Sequence, residues 1–140
     1  MDQRKELLEK LYDAFNARRF DELLVMMADD VEWENGMQGG FVHGRDAVRE
    51  YWNKQFEFIK SNLDVLRFET DERGREIVGV HLTVTDLENN VLLQKDAKQI
   101  FTFNDDGVIA KFELEDTVPV SQADGMGDFS EKFSARMAED

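Results

Sequence analysis

Apolar residues in the first third of the chain recur at helical spacing. Leu7, Leu8, Leu11, Tyr12 and Phe15 share one face and charges occupy the other, which predicts an amphipathic helix broken at Asn16–Arg19. Asp21 can cap a short second helix running through Leu23, Leu24 and Met27, with Asp29 and Asp30 closing it. The stretch Val31-Glu32-Trp33-Glu34-Asn35 then alternates, so it predicts a short strand with Val31, Trp33 and Asn35 on one face. Gly36, Gly39, Gly40 and Gly44 predict a loop, with a brief apolar touch at Phe41-Val42. A third helix is predicted from about Arg45 to Lys60, showing Val48, Trp52, Phe56 and Ile59.

From Leu63 onward the period becomes two. Strands are predicted at Leu63–Thr70, Glu76–Leu87, Val91–Phe103 and Val108–Asp116. The turn-forming pieces Arg73-Gly74, Asn89-Asn90 and Asp105-Asp106-Gly107 join them. Helices followed by a meander predict an α+β fold with an antiparallel sheet. Beyond Pro119, Asp128 and Glu131 have capping-box spacing, and Phe129, Phe133 and Met137 form a helical stripe. That helix is too short to be stable alone and should dock. The expected division is a domain at 1–118 and an acidic tail at 119–140.

If Asn89-Asn90 is a two-residue turn, Val84 faces Lys95, Leu82 faces Ala97, Val80 faces Gln99 and Val78 faces Phe101. Thr83, His81 and Gly79 then point outward with Asp96, Lys98 and Ile100. A three-residue turn would swap the partners by one and turn His81 inward. The two-residue turn separates apolar from polar more cleanly. On the last strand Val108, Ala110, Phe112, Leu114 and Asp116 share the inner face. That leaves Gln99 and Asp116 as polar exceptions on an apolar surface, with Asn35 beside Trp33 as a third. An unpaired buried polar group costs about 1–3 kcal/mol, so three of them aimed at one interior predict a polar-tipped pocket.

Composition narrows the function classes. The chain has 140 residues and a formal net charge of −14, so phosphate-bearing partners such as nucleic acid and anionic membranes are disfavoured. There is no cysteine, which excludes disulfides, thiol catalysis and cysteine-held zinc. Two histidines, His43 and His81, without a neighbouring ligand cluster argue against a dedicated metal site. Nucleotide-cradle and nucleophile-elbow spacings are missing, so no cofactor is expected. The charged N-terminus and the lack of a long apolar run favour a cytoplasmic protein.

The ordered set Leu11-Tyr12-Asp13-Ala14-Phe15-Asn16, Asp21-Glu22-Leu23, Met27-Ala28-Asp29-Asp30-Val31-Glu32-Trp33, Gly44–Trp52 and Phe101–Ile109 resembles the nuclear transport factor 2-like superfamily, nearest its SnoaL-like branch. The resemblance implies a cystatin-like cone: three N-terminal helices packed on a strongly curved antiparallel sheet, a pocket inside and commonly a homodimer. It does not fix a function, because this fold hosts enzymes and non-enzymes alike. Compared with ketosteroid isomerase, Asn35 falls where the aspartate base would be and Gln99 where the protonated aspartate would be. An amide cannot abstract a proton, which speaks against that isomerase mechanism. SnoaL-like polyketide cyclases use a carboxylate at the position of Asp116.

Asp116 is therefore the expected acid/base. Tyr12, Trp33, Asn35, Trp52, Gln99, Phe101 and Phe112 are the expected ligand contacts. The expected partners are a small, largely apolar molecule and a second copy of the chain. The competing expectation is a non-enzymatic binding or interaction module whose interior is filled by its own side chains.

Overall fold

The structure is a computed structural model that describes residues 3–35 and 40–115. Helix α1 (Gln3–Asn16) buries Leu8, Leu11, Tyr12 and Phe15, the spacing expected of one apolar stripe. It ends in two reversed hydrogen bonds, Arg18 N–H to the Phe15 carbonyl and Arg19 N–H to the Ala14 carbonyl. Arg18 sits at φ 64°, where glycine is usual. Its side chain compensates: the guanidinium donates to the Phe15 and Ser61 carbonyls at 2.9 and 2.7 Å and lies 4.1 Å above the Phe56 ring. Asn16 adds a second tie, accepting from Leu63 N–H and donating to Leu63 C=O, both at 2.9 Å.

Helix α2 (Phe20–Leu24) is shorter than the pattern predicts. Met27, Asp29 and Asp30 belong to strand β1 (Met27–Glu34), followed by the short strand β2 (Phe41–His43) and helix α3 (Arg45–Gln55). Arg45 explains the early strand, because its guanidinium captures the Met27 carbonyl and pairs with Asp29 at 3.0 Å. Helix α3 stops at Gln55, short of the predicted Lys60. Ile59 fits the helical stripe by spacing, yet it opens strand β3 (Ile59–Thr70), where Ile59, Ser61 and Leu63 point inward in alternation. Pairing along the whole length of strand β4 (Glu76–Asp86) outweighs the local helical period.

Strands β5 (Val91–Phe103) and β6 (Ile109–Leu114) complete a curved, open, six-stranded sheet in the order β2-β1-β6-β5-β4-β3. Its neighbouring pairs are antiparallel except β1 with β6, which is parallel. A wholly antiparallel sheet was the expectation. The connection from β1 to β6 runs through a helix and a meander, so no hairpin forces these two strands to oppose each other.

The inner face carries Val78, Val80, Gln99, Phe101 and Phe112 buried, with Leu82 and Leu114 packed against the same core. His81 stays outward, 2.8 Å from Asp96. The faces are those the alternation predicts, but the partners differ by two: Val80 opposes Ala97 and Val78 opposes Gln99. The β4–β5 loop has three residues, Leu87–Asn89, closed by Asp86 N–H to the Asn90 carbonyl, with Asn89 at φ 72°. Taken alone, that loop would bring His81 to the Gln99 side. A bulge beside Val84 and Thr85 absorbs one residue and restores the original face.

Candidate functional site

Helices α1 and α3 lie against the inner face of the sheet, and a cavity of about 100 Å³ remains between them. Its walls are mostly aromatic. Trp33 on β1 stacks on Phe112 of β6 at 4.1 Å, following directly from the pairing of those two residues in the parallel ladder. Trp52 of α3 meets Trp33 edge-on at 5.3 Å, and Phe101 of β5 leans on Phe112 at 5.2 Å. Such contacts hold rings in fixed orientations and leave flat apolar surfaces between them.

Two polar pairs interrupt this wall. The Tyr12 hydroxyl donates to Gln99 Oε1 at 2.5 Å, joining α1 to β5. Burial pushes the Tyr12 phenol well above its usual value of 10.0, so at neutral pH it is a proton-bearing donor. Gln55, the last residue of α3, donates from Nε2 to Ser61 Oγ of β3 at 3.2 Å. Among the charged residues, Glu34, Lys95 and Lys98 also contribute to the lining. Glu34 Oε1 accepts the Leu114 N–H at 3.0 Å, tying the end of β1 to β6.

Tyr12, Trp33, Trp52, Gln99, Phe101 and Phe112 thus meet around one cavity. Asn35 is buried but does not line it; its N–H donates to the Gly40 carbonyl at 2.8 Å. Asp116, Pro119 and the Phe129–Met137 stripe lie outside the described residues. Sequence reasoning missed Glu34, Gln55, Ser61 and Lys95. For Lys95 the signal was present, since the alternation that selects Gln99 puts Lys95 on the same face. For Gln55 and Ser61 it was hidden, because the predicted helix ran past the strand start that makes them neighbours.

Among the described residues, no cluster of three or more histidine, aspartate or glutamate side chains could hold a metal ion. Nor is any described helix long and apolar enough to cross a membrane. The wall can sequester an apolar body, and the two amide poles can hydrogen-bond to it.

Solved structures share this architecture. An NTF2-like protein of unknown function from Burkholderia pseudomallei superposes with a TM-score of 0.72 at 25% identity, covering 84% of this chain and 93% of that one. A Mycobacterium tuberculosis protein in complex with estradiol-17beta-hemisuccinate gives a TM-score of 0.72 at 13% identity, covering 84% and 96%. The epoxide hydrolase/cyclase-like enzyme SalBIII, described for pyran ring formation in the polyether salinomycin, gives 0.68 at 20% identity, covering 80% and 88%. No curated protein matches the chain significantly. The model of the SnoaL-like domain matches residues 8–112, which run from the first buried residue of α1 through α3 and the sheet to Phe112 of β6, and the chain belongs to that family.

Proposed function

We propose that this protein binds a small, largely apolar molecule in the internal cavity, and that Asp116 serves as the acid/base of a slow isomerase-, cyclase- or hydrolase-type step on it. The observation that carries the binding reading is the Tyr12–Gln99 pair set in an aromatic wall beside empty space. Tyr12 commits its proton to Gln99 Oε1, and Gln99 Nε2 has no partner among the described residues. That amide nitrogen suits a ligand carbonyl or other acceptor oxygen.

Size limits the ligand. The cavity of about 100 Å³ is somewhat smaller than the roughly 150 Å³ void that takes up one benzene ring. A benzene-sized ring fits with modest adjustment, a ring carrying a short chain needs the wall to give further, and a four-ring skeleton like that of the estradiol derivative would not fit inside. Binding without turnover is favoured by one observation: Glu34, the carboxylate in the described lining, already accepts a backbone N–H.

Both tryptophans of the chain, Trp33 and Trp52, line the cavity, so intrinsic fluorescence reads its occupancy directly. Titration with toluene should change that fluorescence saturably in the wild type. Leu82→Phe, which fills the cavity, should remove the saturable change. A linear response, equal in both proteins, would overturn the binding reading.

A further inference from the structure

Among the described residues, Gln99 and Gln55 each find a partner for one end of the amide and none for the other, and the free ends are opposite. Gln99 accepts from Tyr12 through Oε1, so Nε2 remains as a donor. Gln55 donates to Ser61 through Nε2, so Oε1 remains as an acceptor. No buried side-chain nitrogen or oxygen among the described residues lacks a partner. With no partner among the described residues, Gln99 Nε2 and Gln55 Oε1 reach accessible space, although both residues are buried, and both residues line the cavity.

The two poles lie apart along the strands. Gln99 opposes Val78 and Ser61 opposes Val84, a separation of six residues on β4. Between these positions the wall is mostly aromatic and aliphatic (Trp33, Trp52, Phe101, Phe112, Leu82 and Val84), with Lys95 on the same face opposite Leu82. An apolar molecule with one polar end would leave one pole unsatisfied.

We propose that the cavity selects an elongated one-ring molecule with opposite hydrogen-bonding ends, a carbonyl acceptor at Gln99 and a hydroxyl donor at Gln55. This rests on the binding reading above and deepens it by assigning a polarity. Ser61 is then a positioning residue: its hydroxyl engages Gln55 Nε2 and so keeps Oε1 turned to the ligand.

The test uses four probes of similar shape: 4-(4-hydroxyphenyl)butan-2-one with both ends, 4-phenylbutan-2-one with the acceptor only, 4-butylphenol with the donor only, and butylbenzene with neither. Dissociation constants are measured by calorimetry and tryptophan fluorescence. In the wild type each polar end should tighten binding about tenfold, the equivalent of about 1.4 kcal/mol. Gln99→Met should erase the gain from the ketone and keep that from the phenol; Gln55→Met should do the reverse. The wild-type probe series stands by itself if a variant fails to fold. Equal affinity for all four probes would overturn the polarity proposal while leaving the binding reading intact. Ketone preference that follows Gln55 would also overturn it, by reversing the poles. Saturable binding by none of the four would overturn both.

Discussion

Removing the Tyr12 hydroxyl is a direct test of how the polar pair is held. Tyr12 is 2% exposed and Gln99 8%, so bulk water does not reach the bond between them. Tyr12→Phe keeps the ring and its edge-on contact with Phe101 at 6.2 Å, but leaves Gln99 Oε1 without a donor. An unsatisfied buried acceptor costs about 1–3 kcal/mol. For a chain of this length that lowers the melting temperature by about 3–10 °C. Gln99→Leu strands the hydroxyl instead and should cost a similar amount. The double variant replaces both partners by apolar groups, so it should cost much less than the sum, with a coupling of about 1 kcal/mol or more.

Urea unfolding followed by fluorescence and circular dichroism gives all four corners of this cycle. The pH dependence supplies a second arm. Burial raises the Tyr12 phenol in the folded state, so its contribution is complete below about pH 10 and declines as pH rises through the ionisation of the unfolded chain. The stability advantage of wild type over Tyr12→Phe should therefore shrink above pH 10 and stay constant between pH 6 and 9. Additive single-variant costs, or a Tyr12→Phe cost under about 0.5 kcal/mol, would refute this reasoning and show that cavity water serves Gln99 equally well.

Other expectations follow from the same geometry. Asn89 holds the left-handed position of the β4–β5 loop, where Gly74 and Gly107 stand in the neighbouring hairpins, so Asn89→Val should cost about 1–2 kcal/mol in chemical denaturation and Asn89→Gly far less. Asp116→Asn should leave folding and ligand affinity nearly unchanged and abolish turnover; turnover that survives would remove Asp116 from the mechanism. The outward face with Gly79, His81, Thr83, Lys98, Ile100 and Thr102 is the expected two-fold interface, and sedimentation equilibrium at high micromolar concentration should find a dimer; a monomer throughout would refute it.

The sheet was legible because alternation is a strict signal. Val78, Val80 and Leu82 share one face of β4 by alternation, and Gln99 and Phe101 share one face of β5; that the two sets meet rests on the bulge that offsets the three-residue loop. The aromatic wall followed from the same reasoning. Features set by long-range pairing were not legible. Ile59 has the spacing of a helix and becomes a strand residue because β4 pairs with it, which brings Ser61 to Gln55. Arg45 draws Met27 out of the predicted second helix from eighteen positions away. Asn35 obeyed the alternation of β1 and is buried, yet the cavity boundary is set by α3 and β6, which the local sequence of β1 does not encode.

The bulge between β4 and β5 also determines where the gene can tolerate a lost codon. Val84 and Leu93 face each other, and the segment between them forms one ladder pair at Thr85 and Val91, a second closure at Asp86 and Asn90, a three-residue loop, and one surplus residue, Leu92. Deleting Leu92 would remove the surplus and leave a regular hairpin, with Lys95, Ala97, Gln99 and Phe101 still turned to the cavity. Deleting Leu93 gives the same chain as deleting Leu92, and deleting Gln94 can use the same slack, moving Leu93 to the face that Gln94 held. Each deletion further along flips one more residue between the bulge and the cut, so that removing Asp96 would turn Gln94 inward and Lys95 outward. Length variation in this hairpin should therefore collect between Leu87 and Gln94. A deletion scan read by soluble yield and tryptophan fluorescence should show tolerance up to Gln94 and growing loss beyond it.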